Sequence, residues 1–179
     1  MPDFVLTLIG PDRPGIVEAI ADPIARHHGN WLESRMAHLA GKFAGILRID
    51  VPAQDADALV EALRALEGRG LKLTIEASPP EPSAGGRRLM SLDLVGLDRP
   101  GIVREISREL ADHGVNIEEL VTDRTSAPMS GELLFRSRAL VAVPAELDPA
   151  RMRERLERLA GDLMVQVTLA EPDPASAAG

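Results

Sequence analysis

Gly10-Pro11-Asp12-Arg13-Pro14-Gly15-Ile16-Val17 returns 86 residues later as Gly96-Leu97-Asp98-Arg99-Pro100-Gly101-Ile102-Val103, with seven of the eight residues identical. A repeat with so long a period indicates two copies of one small domain. The 179 residues of the chain have room for two domains of roughly 80 residues each. Because domains of that size bury little core, we expect the halves to pack together or the chain to form a homo-oligomer.

The charge of the chain argues against direct contact with nucleic acid. Lys and Arg number 20 against 28 Asp and Glu, which gives a net charge of −8 that the two halves share equally. Nucleic-acid affinity depends mainly on basic side chains that neutralise phosphates, and neither half offers a basic patch. We therefore expect no direct nucleic-acid partner.

Composition also bears on redox chemistry and location. The chain has no cysteine, which excludes disulfides, thiolate nucleophiles and cysteine-based metal sites. Residues 1–9 lack a basic region, and their apolar run is too short for a signal peptide or a membrane span. We expect a cytoplasmic protein without a membrane partner.

Each half begins with a strand, the repeated turn and a helix. The apolar residues of the two helices match at the same offset of 86 and give one apolar stripe at helical spacing; they are Ile16, Val17, Ile20, Ile24 and Ile102, Val103, Ile106, Leu110. Pro14 suits the first helical turn, which makes Asp12 the expected N-cap. Pro23, whose counterpart is Glu109, should kink the first helix or remove one of its hydrogen bonds. Glycines at His28-Gly29 and His113-Gly114 suit left-handed C-terminal caps.

Two strands, a helix and a last strand follow in each half. The second helix is marked by Leu59, Leu63 and Leu66 in the first half and by Met152, Leu156 and Leu159 in the second. The order β-α-β-β-α-β predicts an α+β protein with two ferredoxin-like domains, each a four-stranded antiparallel sheet with two helices on one face. The predicted boundaries are 1–78 and 88–170, joined by a Pro-rich linker over 79–87 and followed by a disordered tail over 171–179.

The repeated turn is the candidate binding site. Free N–H groups at a helix N-terminus form a small anion-binding concavity. The turn lacks the Lys and Ser/Thr of a nucleotide-binding loop, so a carboxylate fits better than a nucleotide phosphate. Asn30 and Asn116 match at the same offset and offer both a donor and an acceptor, although asparagine also simply ends helices.

The turn, the helix and the segment that follows resemble the ACT domain family in both halves of the chain. That segment is His28-Gly29-Asn30-Trp31 in the first half and His113-Gly114-Val115-Asn116-Ile117 in the second. Glu33-Ser34-Arg35-Met36, Gly41-Lys42-Phe43-Ala44-Gly45 and Ala127-Pro128-Met129-Ser130-Gly131 also resemble the glycine cleavage system transcriptional repressor family. The resemblance implies a sensor of small molecules, mostly amino acids such as glycine, whose ligand lies where the turn of one domain meets a neighbouring domain. It further implies a protein partner, such as a separate DNA-binding activator. The implied ligand-binding residues are Gly10, Asp12, Arg13, Pro14, Gly15, Asn30, Gly96, Asp98, Arg99, Pro100, Gly101 and Asn116.

No motif predicts catalysis, a metal or a cofactor. The four histidines show no zinc-binding spacing, and no nucleophile elbow is present. The leading hypothesis is therefore a non-enzymatic regulator with an amino-acid ligand. The alternatives are a ligand-independent protein-interaction module or a regulatory subunit of an amino-acid metabolic enzyme, with a small enzyme that uses the turns as an oxyanion or phosphate site as the weakest candidate.

Overall fold

The computed structural model describes residues 1–78 and 86–173 and divides the chain into two compact units, one on either side of segment 79–85. Most of the predicted linker and the end of the predicted tail, 79–85 and 174–179, lie outside the described residues. The domain boundaries therefore stay predictions.

The first unit has the predicted βαββαβ order. Its elements are β1 (Asp3–Pro11), α1 (Ile16–Arg26), β2 (Asn30–Leu39), β3 (Lys42–Asp50), α2 (Ala56–Arg64) with a 3₁₀ turn (Ala65–Arg69), and β4 (Lys72–Ala77). The strands form an antiparallel sheet in the order β2-β3-β1-β4. Alternate strand residues such as Leu6, Leu8 and Leu47 are buried with Ile20 and Leu63 of the helices, so both helices cover one face of the sheet.

The second unit repeats this architecture. Its elements are β5 (Arg88–Leu97), α3 (Ile102–Asp112), β6 (Asn116–Ser126), β7 (Leu133–Val143), α4 (Pro149–Leu163) and β8 (Val165–Ala170). The strand order is β6-β7-β5-β8, again with antiparallel pairing. In β5, Met90, Leu92 and Leu94 point to the core, while Ser91 and Asp93 lie on the opposite face. The fold class is confirmed in both units.

The predicted helix stripe is one residue too wide in each unit. Ile16, Ile20 and Ile24 are buried, as are Ile102, Ile106 and Leu110, but Val17 and Val103 are 46% and 43% exposed. They follow the first buried isoleucine by one position, which turns them about 100° away from the core. Including Val17 and Val103 in the buried face was therefore wrong.

The helix ends differ from prediction at two places. Asp12 is not the N-cap, because Gly15 occupies that position with φ of 86° and α1 starts only at Ile16. At the C-terminal end of α1 the left-handed residue is His28, with φ of 58°, and not Gly29; its counterpart Gly114 behaves as predicted. α1 continues through the buried Pro23, whose missing N–H leaves the carbonyl of Ala19 without its helical donor.

Candidate functional site

The repeated turn has the same backbone path in both units. Gly15 and Gly101 have φ of 86° and 94°, a left-handed conformation that favours glycine, and each carbonyl accepts the first hydrogen bond of the helix. The N–H groups of Asp12 and Asp98 donate to carbonyls of the neighbouring hairpin, Gly41 at 2.9 Å and Leu133 at 2.8 Å. The sheet therefore fixes the start of each turn.

The first helical residues offer donors to a ligand. The first hydrogen bond of α1 runs from the N–H of Ala19 to Gly15, so the N–H groups of Ile16, Val17 and Glu18 precede the helical ladder. Among the described residues, no side chain caps them. These donors and the positive end of the helix favour an anionic group at this place.

A concavity of about 430 Å³ lies beside the first turn and is lined by both basic and acidic side chains. Arg13, Arg26 and Arg69 contribute three guanidinium groups, and Glu18 and Asp22 contribute two carboxylates. Asp22 and Arg26 pair at 2.8 Å. The lining therefore keeps a net charge of +1, which suits a ligand that carries a carboxylate together with an ammonium group.

Arg13 has a structural role in this concavity. Its Nη2 donates to the backbone carbonyl of Arg69 at 2.6 Å, which ties the turn to the end of the 3₁₀ turn. The side chain of Arg69 also lines the concavity. Sequence reasoning missed Arg69 because 56 residues separate it from Arg13. The available signal was topological, since a last strand beside β1 brings the residues before it next to the turn.

The aspartates of the two repeated turns, Asp12 and Asp98, have different partners. Asp12 Oδ2 lies 3.5 Å from His38 Nε2, and its side chain is 41% exposed. Asp98 Oδ2 accepts from Arg124 Nη1 at 2.9 Å, and its side chain is only 23% exposed. The second aspartate is therefore held by a charge-assisted hydrogen bond to β6.

The surroundings of the second turn also differ in charge. Arg99 Nη2 lies 3.5 Å from Met164 Sδ where Arg13 contacts a carbonyl. At the offset of 86, Arg104 and Arg108 of α3 replace Glu18 and Asp22 of α1. The two turns therefore share a backbone but not a side-chain environment.

The asparagines lie at the opposite end of each sheet from the turn. Asn30 pairs with Asp50, which in turn pairs with Asp3 at the start of β1, whereas the turn follows Pro11 at the other end of that strand. The 11 residues of α1 separate the two ends by about 16 Å. Asn30 donates to Asp50 Oδ1, and Asn116 donates to Glu118 Oε1, both at 2.7 Å. Within one unit, the structure does not bring Asn30 or Asn116 to the turn.

The remaining predicted site residues lie in the two turns or directly beside them. Gly10 and Gly96 end the buried side of the central strand, and Pro14 and Pro100 precede the left-handed glycines. Over 1–78 and 86–173, no three His, Asp or Glu side chains are arranged to hold a metal ion. In the same ranges no helix combines the length and the apolar character needed to cross a bilayer.

Comparison with known families identifies the two units. The ACT domain model matches residues 3–77, and a second ACT domain model matches residues 90–161. The chain belongs to the ACT domain family. The first and second units are therefore its first and second ACT domains, which confirms the resemblance seen in the sequence.

Relatives resemble the chain over both ACT domains. The glycine cleavage system transcriptional repressor of Escherichia coli (strain K12) is 26% identical over 167 residues, which cover 91% of this chain and 86% of that protein. A crystal structure of an unknown protein from Galdieria sulphuraria is 31% identical, with a TM-score of 0.85, and the match covers 96% of this chain and 99% of that one. A crystal structure assigned to a glycine cleavage system transcriptional repressor has the same fold, at 18% identity, a TM-score of 0.68 and coverage of 94% and 95%. The tandem arrangement of two ACT domains is therefore shared with these proteins.

Proposed function

We propose that this chain is a non-enzymatic regulator that binds a free amino acid, with glycine and serine as the first candidates. The observation that carries the proposal is the first turn, where free helix N–H groups adjoin a concavity of net charge +1. A carboxylate would accept from the N–H groups of Ile16 to Glu18, and the ammonium group would face Glu18 or Asp22. Membership of the ACT domain family and similarity to a transcriptional repressor support this function.

We place the ligand in the first ACT domain. Asp12 and its turn are more open than Asp98, which Arg124 holds against β6. In this proposal the second turn stabilises its domain, and Gly96 to Gly101 contribute no ligand contact. Neither Asn30 nor Asn116 reaches the turn of its own domain. Their role as ligand contacts stays a prediction.

Regulation would act through a protein partner. Both halves of the chain are acidic and offer no basic patch for the phosphates of nucleic acid. Because the chain is similar to a repressor, we expect it to act on a separate protein, such as a DNA-binding activator. The ligand can shift that interaction only if it binds the free and the complexed states with different affinity. Capture of partners from a lysate, with and without glycine, tests this step. A partner retained equally under both conditions would favour the ligand-independent interaction module.

Calorimetric titration of the full chain with the common amino acids tests the binding step. We expect saturable heat from at least one small amino acid. Arg69→Ala should weaken binding at least tenfold, because it removes a guanidinium that lines the concavity and would donate to the ligand carboxylate, and a hydrogen bond to a charged group contributes roughly 1.5–3 kcal/mol. The variant keeps the Arg69 carbonyl that Arg13 contacts. Arg64→Ala is the matched control, since Arg64 lies at the end of α2 and does not line the concavity. Equal affinities of the two variants would contradict the site.

A further inference from the structure

The second sheet carries a charged concavity on the face opposite its helices. It has a volume of about 390 Å³, and its lining includes Asp93, Asp123, Arg136 and Arg138, with Gln166 and Thr168 on one side. These side chains alternate with the buried residues of the same strands, such as Leu94 and Ala139. The concavity is therefore separate from the repeated turn and lies wholly within the second unit.

The strand register places the four charges in two adjacent rows. In one row Val95 pairs with Arg136, which pairs with Asp123. In the next row Asp93 pairs with Arg138. Directly opposed residues on one face have Cβ atoms about 4.5–5.5 Å apart, so Arg136 adjoins Asp123 and Arg138 adjoins Asp93.

In the row of Asp93 and Arg138, the charged groups are already hydrogen-bonded within the sheet. Arg138 Nε donates to Asp93 Oδ1 at 3.2 Å, and Ser91 Oγ donates to Asp93 Oδ2 at 3.2 Å. Both oxygens of Asp93 are therefore engaged. Arg138 is held in place by one nitrogen while its terminal nitrogens remain available as donors.

The charged groups of the other row, Arg136 and Asp123, are not paired with each other. Within the described residues, Arg136 and Asp123 have no ion-pair partner within 4.0 Å, although the two are opposed on neighbouring strands. Both residues are exposed. An exposed cross-strand pair contributes only about 0–1 kcal/mol when it forms, so a ligand can occupy both groups at little cost.

The first unit shows that the fold does not require these charges. At the same register positions, Thr7, Ile46, Ala44 and Ala37 replace Asp93, Arg138, Arg136 and Asp123. Arg35 takes the position of Val121 and lies 3.3 Å from Glu33. A copy of the same domain therefore folds with neutral residues at these four positions, where the second unit has two cations and two anions.

We propose that this face of the second unit binds a small molecule with one carboxylate and one cationic group several ångströms apart. The carboxylate lies on Arg136 and the terminal nitrogens of Arg138, because a guanidinium matches a carboxylate in two parallel hydrogen bonds. The cationic group lies on Asp123. A second carboxylate in place of the cation would meet Asp123 and be repelled, which gives the site its selectivity.

Three probes of similar length separate these contributions. 4-Aminobutyrate carries both groups, butyrate carries only the carboxylate, and succinate carries two carboxylates. In titrations of the full chain followed by amide chemical shifts, we expect affinity to fall in the order 4-aminobutyrate, butyrate, succinate at constant ionic strength. The shifts should centre on β7 and β6 near Arg136 and Asp123.

Two variants reproduce residues of the first unit and should therefore fold. Arg136→Ala should weaken 4-aminobutyrate and butyrate at least tenfold, and Asp123→Ala should weaken only 4-aminobutyrate and bring succinate closer to butyrate. Arg48→Ala is the control, since Arg48 lies on the corresponding face of the first sheet. The thermal midpoint of each variant reports whether it folds.

The proposal is overturned if 4-aminobutyrate binds no better than butyrate, if Arg136→Ala binds it as well as Arg48→Ala does, or if the shifts lie elsewhere. Loss of binding in an Arg136→Ala protein that melts at the parent temperature supports it. Because the turn of the first unit is not involved, Arg69→Ala should leave this binding unchanged. The two sites therefore fail or succeed independently.

Discussion

At the scale of single residues, Gly10 and Gly96 match in sequence but differ in what surrounds them. A Cβ on Gly10 would lie 2.7 Å from Leu71 Cδ2, the end of a flexible side chain. A Cβ on Gly96 would lie 2.5 Å from Val165 Cγ1 and 2.7 Å from Val165 Cα, which belongs to the backbone of β8. Both glycines therefore allow close approach of the chain where the last strand begins, which explains their presence without a ligand.

Alanine substitutions should separate the two positions. We expect Gly96→Ala to destabilise its unit by about 2–3 kcal/mol and Gly10→Ala by about 1 kcal/mol, because overpacking is costly when backbone must move. Urea denaturation of each variant measures the difference. Equal losses of stability would show that the strands adapt equally well at both places.

At the scale of elements, the ends of α1 and α3 differ at one left-handed position. His28 adopts φ of 58° where the second unit has Gly114 with φ of 69°. Non-glycine residues are strained in this region, although histidine is found there more often than most. His28 also lies near Asp55, with 3.4 Å between Nδ1 and Oδ2, but it is largely exposed.

A reciprocal exchange tests the helix ends. His28→Gly should stabilise the first unit by about 0.5 kcal/mol, and Gly114→His should destabilise the second by about 1 kcal/mol, since relief of left-handed strain exceeds the added chain entropy of glycine. A Cβ on Gly114 meets only Pro144 Cγ at 3.6 Å, an ordinary contact, so packing does not mask the effect. Thermal unfolding in a buffer of fixed pH gives both values. A stabilising Gly114→His would contradict this explanation.

Elements were more predictable than their ends. The repeat and the apolar spacing predicted all eight strands and four helices of the described chain, because burial of one face leaves a period in the sequence. Asp12 was wrongly predicted as a cap because the left-handed conformation of Gly15 delays the helix by three residues. The separation of Asn30 from the turn follows from the βαβ order itself, since a helix must return to the start of β1 before β2 begins. Arg69 was not predictable from local patterns, because its place depends on strand pairing.

At the scale of the whole molecule, the two units share one backbone fold but present different side chains on their surfaces. The first has an arginine-lined turn, and its sheet is neutral at the four positions where the second sheet is charged; the second has a more enclosed aspartate at its turn. We expect saturating glycine or serine to raise the thermal midpoint of the first unit, because a ligand that binds only the folded state stabilises it by about 2.7 kcal/mol at 100 times its Kd. If the units unfold in separate transitions, only the first should move with ligand.

The most direct test of ligand binding at the first turn is an amide chemical-shift titration of the uniformly ¹⁵N-labelled full chain with glycine and with serine. We expect saturable shifts in the amides of Ile16, Val17 and Glu18, with little change at Ile102 to Arg104. Shifts that are absent with every amino acid at millimolar concentration, or that occur equally at both turns, would contradict the claim that the first turn is the ligand site.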